Sequence, residues 1–301
     1  MKRLLFLILF ISCSDEPFDP NAYEEFADES FRKIENSITI NIIPSTYELE
    51  WTTPRMLIFS ILKNQYYFPK TKSYIGHVSA EVNCFDGNNQ KREFIGQSSH
   101  SLDGFRNFIL GGYGFSLLNK PQNNYDLPLL MVAGKLDDYS EVNIKYAEYM
   151  ANKNFAILTT KMSEKSCLRA LSYIKEYKKK TIEGKEAGNR YGFGADPLKF
   201  EGAGCAPMVQ TILSLADLES LSSGMDQEVF IPKELLGDPE IKNKVSLWKV
   251  LTNNKNISNS GNGGVKFSFP DPQQLYDITK NSPLTRTIDD KFLYLELNSE
   301  K

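Results

Sequence analysis

Two residues in this 301-residue chain have the means for nucleophilic chemistry, Cys205 and His77. Cys205 follows a glycine-rich approach, Gly202-Ala203-Gly204, and precedes Ala206-Pro207-Met208-Val209, an apolar run that reads as the opening of a helix. Proline suits that first turn, where its missing N–H has no intrahelical partner to lose. A thiol placed there meets the positive end of the helix dipole, which favours thiolate, the form that attacks. Free N–H groups of the same turn can bind an oxyanion. A cysteine nucleophile also needs a base, and an imidazole titrating near neutrality is the usual one. The chain has only His77 and His100 to offer. His77 sits in Ile75-Gly76-His77-Val78, on the same strand face as Ser79 and Glu81. That face need not be core, and the small Gly76 lets another segment come close.

These residues must be held by a sheet and a helix, and the pattern supplies both. Residues 38–43 and 74–84 alternate as strands do, and Asp86-Gly87-Asn88-Asn89 is a turn that returns the chain through 92–98. In that hairpin position 77 falls opposite about 97–98. This points to Gln97, whose amide oxygen can accept the imidazole N–H. Glu93, Glu81 and His100 could also orient the ring. Short strands are expected near 129–133 and 140–147, and another at 154–160. Residues 163–180 read as a helix capped by Ser163, with Cys167, Leu171, Ile174 and Tyr177 on its apolar stripe. A second helical stretch spans 206–221, and the text from 225 onward is irregular. The fold class is α+β, with no internal repeat.

Taken together, the two motifs resemble the NlpC-like peptidases of the papain-like superfamily, in the circularly permuted branch where the histidine strand precedes the cysteine helix. Tyr191, Gly194, Pro197, Gly202 and Cys205 follow the order of that family's cysteine motif, and Gly76-His77-Val78 follows its histidine motif. The resemblance covers roughly residues 70–220. It departs at Gly204, where the family has Asp or Asn, and at Ala206, where it has Ser. It implies an antiparallel sheet packed against the cysteine helix, and a Cys–His hydrolase acting through an acyl-enzyme without metal or organic cofactor. Tyr191 and Gly204 would line the substrate site. The substrate implied is a peptide or acyl-amide, with peptidoglycan stem peptides first. Relatives resembling lecithin:retinol acyltransferase keep an acyl-lipid substrate open, and a non-catalytic binding protein on the same scaffold is the competing reading.

The N-terminus carries an export pattern. Lys2 and Arg3 precede an apolar run from Leu4 to Ile11, followed by Ser12-Cys13. Eight apolar residues fall short of the roughly 20 that span a bilayer. Phe10-Ile11-Ser12-Cys13 resembles a lipobox, so Cys13 is the expected lipidation site and the bilayer the expected partner, placing the chain in the cell envelope. The expected division is a signal over 1–12, a lipidated acidic tether over 13–36, a hydrolase core over 37–224 and a C-terminal extension over 225–301. Loss of Lys2 and Arg3 takes the formal charge from −3 to −5. With Lys178-Lys179-Lys180 as the only basic run, nucleic acid is not an expected partner. Cys84 and Cys167 can pair in an oxidising compartment, which leaves Cys205 as a single thiol. With two histidines and no CxxC spacing, a zinc site is not expected.

Overall fold

The computed structural model describes residues 19–67, 76–87, 89–100, 103–120 and 127–298. The export segment and Cys13 lie outside these residues. The expected α+β class holds. A mixed six-stranded sheet runs through the molecule, joined by a three-stranded sheet and a two-stranded hairpin.

The acidic N-terminal stretch does not stay a tether throughout. Residues Ala22–Glu29 form helix α1, with Tyr23 and Ala27 fully buried, and Phe31 and Arg32 are buried just after it. Its acidic residues are used inward: Arg32 pairs with Glu24, Asp28 and, through Nε at 2.9 Å, Glu81. The folded body therefore begins near residue 22 rather than 37.

Strand β1 (Ser37–Ile43) lies in the middle of the large sheet. It is antiparallel to β2 (His77–Asp86) on one side and, on the other, to β6 (Ala156–Lys161), the sixth strand of the chain. Helix α2 (Pro54–Tyr67) separates β1 from β2, and β3 (Asn89–Ile95) returns beside β2 in the predicted hairpin, Ala80 opposite Ile95 and Asp86 opposite Asn89. The pairing then stops. Gly96 bends the chain into β4 (Gln97–Ser99), which leaves the large sheet and, after α3 (Asp103–Gly111), pairs with β5 (Val132–Leu136).

Residues 139–151 form α4 (Tyr139–Ala151), not the strand expected near 140–147. Val142, Tyr146 and Tyr149 recur at helical spacing and face inward, and Asp138 caps the helix by accepting from the Ser140 and Glu141 N–H groups. Helix α5 (Glu164–Ile182) has Ser163 as its N-cap, as expected, and buries Cys167, Ala170, Leu171, Ile174 and Tyr177. After β7 (Arg190–Tyr191), which pairs with β5, come α6 (Cys205–Leu215) and α7 (Glu219–Gly224).

The C-terminal part is more ordered than its text suggests. β8 (Asp226–Ile231) and β9 (Val265–Pro270) pair antiparallel, with α8 (Leu247–Leu251) between them, over a second apolar cluster that includes Leu57, Val229, Phe267 and Phe269. Helix α9 (Pro272–Asn281) then leads to β10 (Arg286–Ile288) and β11 (Phe292–Leu297). β11 pairs parallel with β6 inside the large sheet, so this end of the chain completes the core instead of packing on it from outside.

Both faces of the large sheet are covered. Ile38, Ile40 and Ile42 align with Val78, Ala80 and Val82 and meet α5, α6 and α9 in one apolar core. Burial of each such side chain is worth roughly 1.5–3 kcal/mol. The opposite face carries Thr39, Asn41, Ser79, Glu81 and Asn83, all buried under α1 and α4. The sequence suggested that this face need not be core. It is core, and it stays polar because its groups, the Asn41 Nδ2 excepted, find partners: Thr39 and Thr159 hydroxyls lie 3.0 Å apart, Tyr23 donates to Asn41 Oδ1, Ser79 meets the Tyr146 hydroxyl, and Glu81 takes Arg32. Cys84 on β2 is disulfide-bonded to Cys167 on α5, pinning sheet to helix. Among the described residues no helix is long and apolar enough to cross a membrane.

Candidate active site

Three parts of the fold meet at the N-terminal end of β2. The large sheet contributes His77, the first residue of that strand. Helix α6 contributes Cys205, its first residue, after Gly204 at the N-cap in an extended conformation. The three-stranded sheet contributes Ser98 on β4, Asp137 directly after β5 and Tyr191 on β7.

His77 is the hub. Its Nε2 lies 2.9 Å from Asp137 Oδ2, which leaves Nδ1 for the Cys205 thiol, to which the ring is hydrogen-bonded. Asp137 is fixed in turn: Ser98 Oγ donates to its Oδ1 at 2.7 Å, and its own N–H donates to the Gly96 carbonyl at 2.9 Å. Gly96 matters here for the side chain it lacks. A Cβ at that position would collide with the Asp137 carboxylate, so the bend that ends β3 also makes room for the acid. Tyr191 donates its hydroxyl to Cys205 Sγ at 3.5 Å, and the Val78 N–H reaches the same sulfur.

The electrostatics follow from this geometry. Burial on its own would push the imidazole down, yet the Asp137 carboxylate and then the Cys205 sulfur hold His77 up at about 10. Burial likewise opposes thiolate, but the hydrogen bond and charge of His77, helped by Tyr191 and Val78, bring Cys205 below an ordinary thiol. Asp137 is also desolvated, and His77, Ser98 and Lys145 nonetheless keep it below the usual carboxylate range. Ion pairing and hydrogen bonding thus outweigh desolvation at all three groups. The shifts all favour thiolate, imidazolium and carboxylate in a row, and Cys205 is only 6% exposed.

The structure brings His77, Cys205 and Tyr191 together, and it sets Gly204 at the cap of the cysteine helix. Gln97 does not join them. Its side chain is fully buried on the far side of the β3–β4 bend, donating to the Arg190 carbonyl at 2.8 Å and accepting from the Tyr177 hydroxyl at 2.8 Å. The bend at Gly96 breaks the register that placed Gln97 opposite position 77, and Asp137 fills the role instead. Glu81 and Glu93 are committed elsewhere, the first to Arg32 and the second to Lys178. His100 is exposed on the loop after β4. Asp137 had a local signal, an Asp-Asp pair closing a strand. Its distance in sequence from residue 77 hid its partner.

Among the described residues no group of His, Cys, Asp and Glu side chains is arranged to hold a metal ion. Comparison with protein-family models, curated proteins and solved structures finds no match for the chain.

Proposed function

We propose that this chain is a cysteine hydrolase, an amidase or peptidase on a papain-like α+β scaffold, carried to the cell envelope as a lipoprotein anchored through Cys13. One observation carries the reading: His77 sits between the Asp137 carboxylate and a cysteine at the first position of a helix. That is the relay of nucleophile, base and orienting acid that acyl transfer requires.

Thiolate Cys205 attacks the acyl carbon of an amide, forming a C–S bond while the carbonyl π pair moves onto oxygen. The first-turn N–H groups of α6, which have no carbonyl within their own helix to donate to, and the Tyr191 hydroxyl lie near the sulfur to receive that charge. As the tetrahedral species collapses the C–N bond breaks, and the leaving amine takes the proton from His77. Neutral His77 then removes a proton from water, whose oxygen attacks the thioester and releases the acid and Cys205. Asp137 stays ionised throughout and stabilises the imidazolium. An envelope location makes peptidoglycan peptides the first substrate class to try, with acyl-lipids next.

Alkylation of Cys205 by iodoacetamide tests the relay directly. The expected rate reaches its plateau well below about pH 8.5, the pKa of a free thiol, in the wild type, and loses that plateau in His77→Ala. Cys205→Ser removes the labelling. If Cys205 reacts only at high pH whatever stands at position 77, the hydrolase reading falls and a binding lipoprotein on this scaffold takes its place.

A further inference from the structure

Nine large apolar side chains stand exposed among the described residues, and four of them lie on two helices that pack together, α2 and α8. Met56, Phe59 and Leu62 recur along the outer side of α2, with Phe59 44% and Leu62 47% exposed, and Trp248 on α8 is 74% exposed. The other five are spread over five separate segments. The inner sides of both helices enter the same apolar cluster, through Leu57, Ile58 and Val250, so their outer sides share one surface. Helix α2 is therefore apolar on both sides, the pattern of a helix that is covered on both. A contiguous exposed apolar patch marks an interaction surface.

The charges on this surface indicate what covers it. Helices α2 and α8 carry Arg55, Lys63 and Lys249 and no carboxylate. Arg55 lies over the Phe59 ring at 5.3 Å and Lys63 over the Tyr47 ring at 3.8 Å, and neither forms an ion pair among the described residues. Glu48 and Glu50 stand on the other wall of the cleft that Met56, Phe59 and Lys63 line, so they border the face without lying on it. Aromatic and aliphatic side chains flanked by long basic ones suit a bilayer interface, where the rings sit at headgroup level and Lys and Arg reach the phosphates. A helix of this length spans about 21 Å, short of a hydrocarbon core of about 30 Å, so it suits lying along the surface.

The proposed anchor brings a bilayer within reach. Asp19, the first described residue, is six residues beyond Cys13, a reach of at most about 20 Å. Tyr23 in α1 donates to Asn41 near the end of β1, and Asn64 in α2 bonds both the N–H and the C=O of Tyr47, four residues past Ile43. The tether and α2 thus join the large sheet at one end, the end where Ile43 pairs with His77. We propose that the outer side of α2, with Trp248 of α8, docks on an anionic bilayer surface and seats Met56, Phe59, Leu62 and Trp248 at headgroup level. The proposal rests on the lipoprotein reading for what brings the bilayer near, and not on the hydrolase reading.

The test uses the full chain as exported, with the state of Cys13 read by intact mass, in vesicles of phosphatidylcholine and phosphatidylglycerol. The probe is phosphatidylcholine brominated near the top of its acyl chains, which quenches tryptophan only at short range. The chain has two tryptophans, Trp51 and Trp248. Bromolipid should quench the emission of the wild type, and Trp248→Phe should remove most of that loss. Phe59→Ser combined with Leu62→Ser should restore the emission, while Ile144→Ser, at an exposed position on α4, should leave the quenching as it was. Should the double variant melt early, Arg55→Glu with Lys63→Glu carries the same comparison. Unquenched wild type, quenching that persists in Trp248→Phe, or equal quenching in the face variants overturns the proposal. A concentration-dependent dimer in place of quenching, abolished by the same variants, gives the face to a second copy and overturns it too. If the exported chain carries no lipid on Cys13 the anchor reading fails, and quenching of that unlipidated chain still decides the face.

Discussion

Replacing Asp137 by Asn keeps the shape of the side chain but removes its charge and one of its two acceptor oxygens. The amide keeps an oxygen to accept from Ser98, and the shape that fits beside Gly96 is unchanged. What goes is the anion 2.9 Å from His77 Nε2, and with the amide oxygen on Ser98 an NH2 group faces that nitrogen and cannot accept its proton, which disfavours the imidazolium further. Two unit charges about 4 Å apart at an effective dielectric near 20 attract by about 4 kcal/mol, which is about 3 pH units of imidazole affinity. His77, held at about 10 in the wild type, should fall to about 7. The sign of the effect on sulfur follows. Cys205 is thiolate above a depressed pKa because His77 is protonated beside it. With the imidazolium weakened, that pKa climbs back toward the free-thiol value of about 8.5, and thiolate is lost at neutral pH. At pH 7 the iodoacetamide rate should drop roughly thirtyfold, the factor separating full ionisation from a thiol of that pKa. The alkaline limit of amide turnover, where His77 can no longer supply a proton, should move down by about 3 units as well. The active window thus narrows from both sides. Stopped-flow alkylation between about pH 5 and pH 10 reads the first edge, with thermal melting as the check that the fold is intact. A rate–pH curve that overlays the wild type would refute this account, since Asp137 would then not sustain the ion pair.

Gln97→Ala should leave that curve in place. It strands the buried Tyr177 hydroxyl and takes one of two donors from the Arg190 carbonyl, which keeps the Ala203 N–H, so stability should fall by about 1–3 kcal/mol in urea unfolding, and a displaced alkylation profile would instead put Gln97 in the relay. Reduction of the Cys84–Cys167 bond, or its removal by paired serine substitutions, opens a loop with sequence separation 83. Chain entropy alone puts the loss at about 4–5 kcal/mol, read as a lower urea midpoint, and an unchanged midpoint would mean that the unfolded chain keeps these segments together.

The parts of the fold legible in the sequence are those governed by local pattern. The alternation in 38–43, the Asp86-Gly87 turn and the stripe through Cys167, Leu171, Ile174 and Tyr177 each commit a segment to one structure. The cysteine at a helix start and the histidine on a strand were visible for the same reason. Residues 139–151 misled because Val142, Ile144 and Tyr146 also alternate, and only the longer recurrence to Tyr149 selects a helix. The acidic residues of α1 looked solvated because their partners, Arg32 and Tyr139, lie outside the helix that carries them. Asp137 was hidden by topology. Its meeting with His77 depends on a single bend at Gly96 that transfers the chain from one sheet to another, and hydropathy does not register such a bend.

Among the described residues, the free thiol and the disulfide lie at opposite ends of β2. Cys205 touches the strand at Val78, and the disulfide leaves it at Cys84. Six strand residues span about 20 Å, and Ala80 and Val82 lie between the two ends in a core closed to solvent. Thiol–disulfide exchange requires a thiolate to strike a sulfur directly. The folded chain therefore cannot bring its own nucleophile to its own crosslink. A mispaired form, Cys205 with either Cys84 or Cys167, becomes accessible only when the strand is stripped from its helices. The fold thus keeps its free thiol and its crosslink apart, and scrambling is deferred until global unfolding.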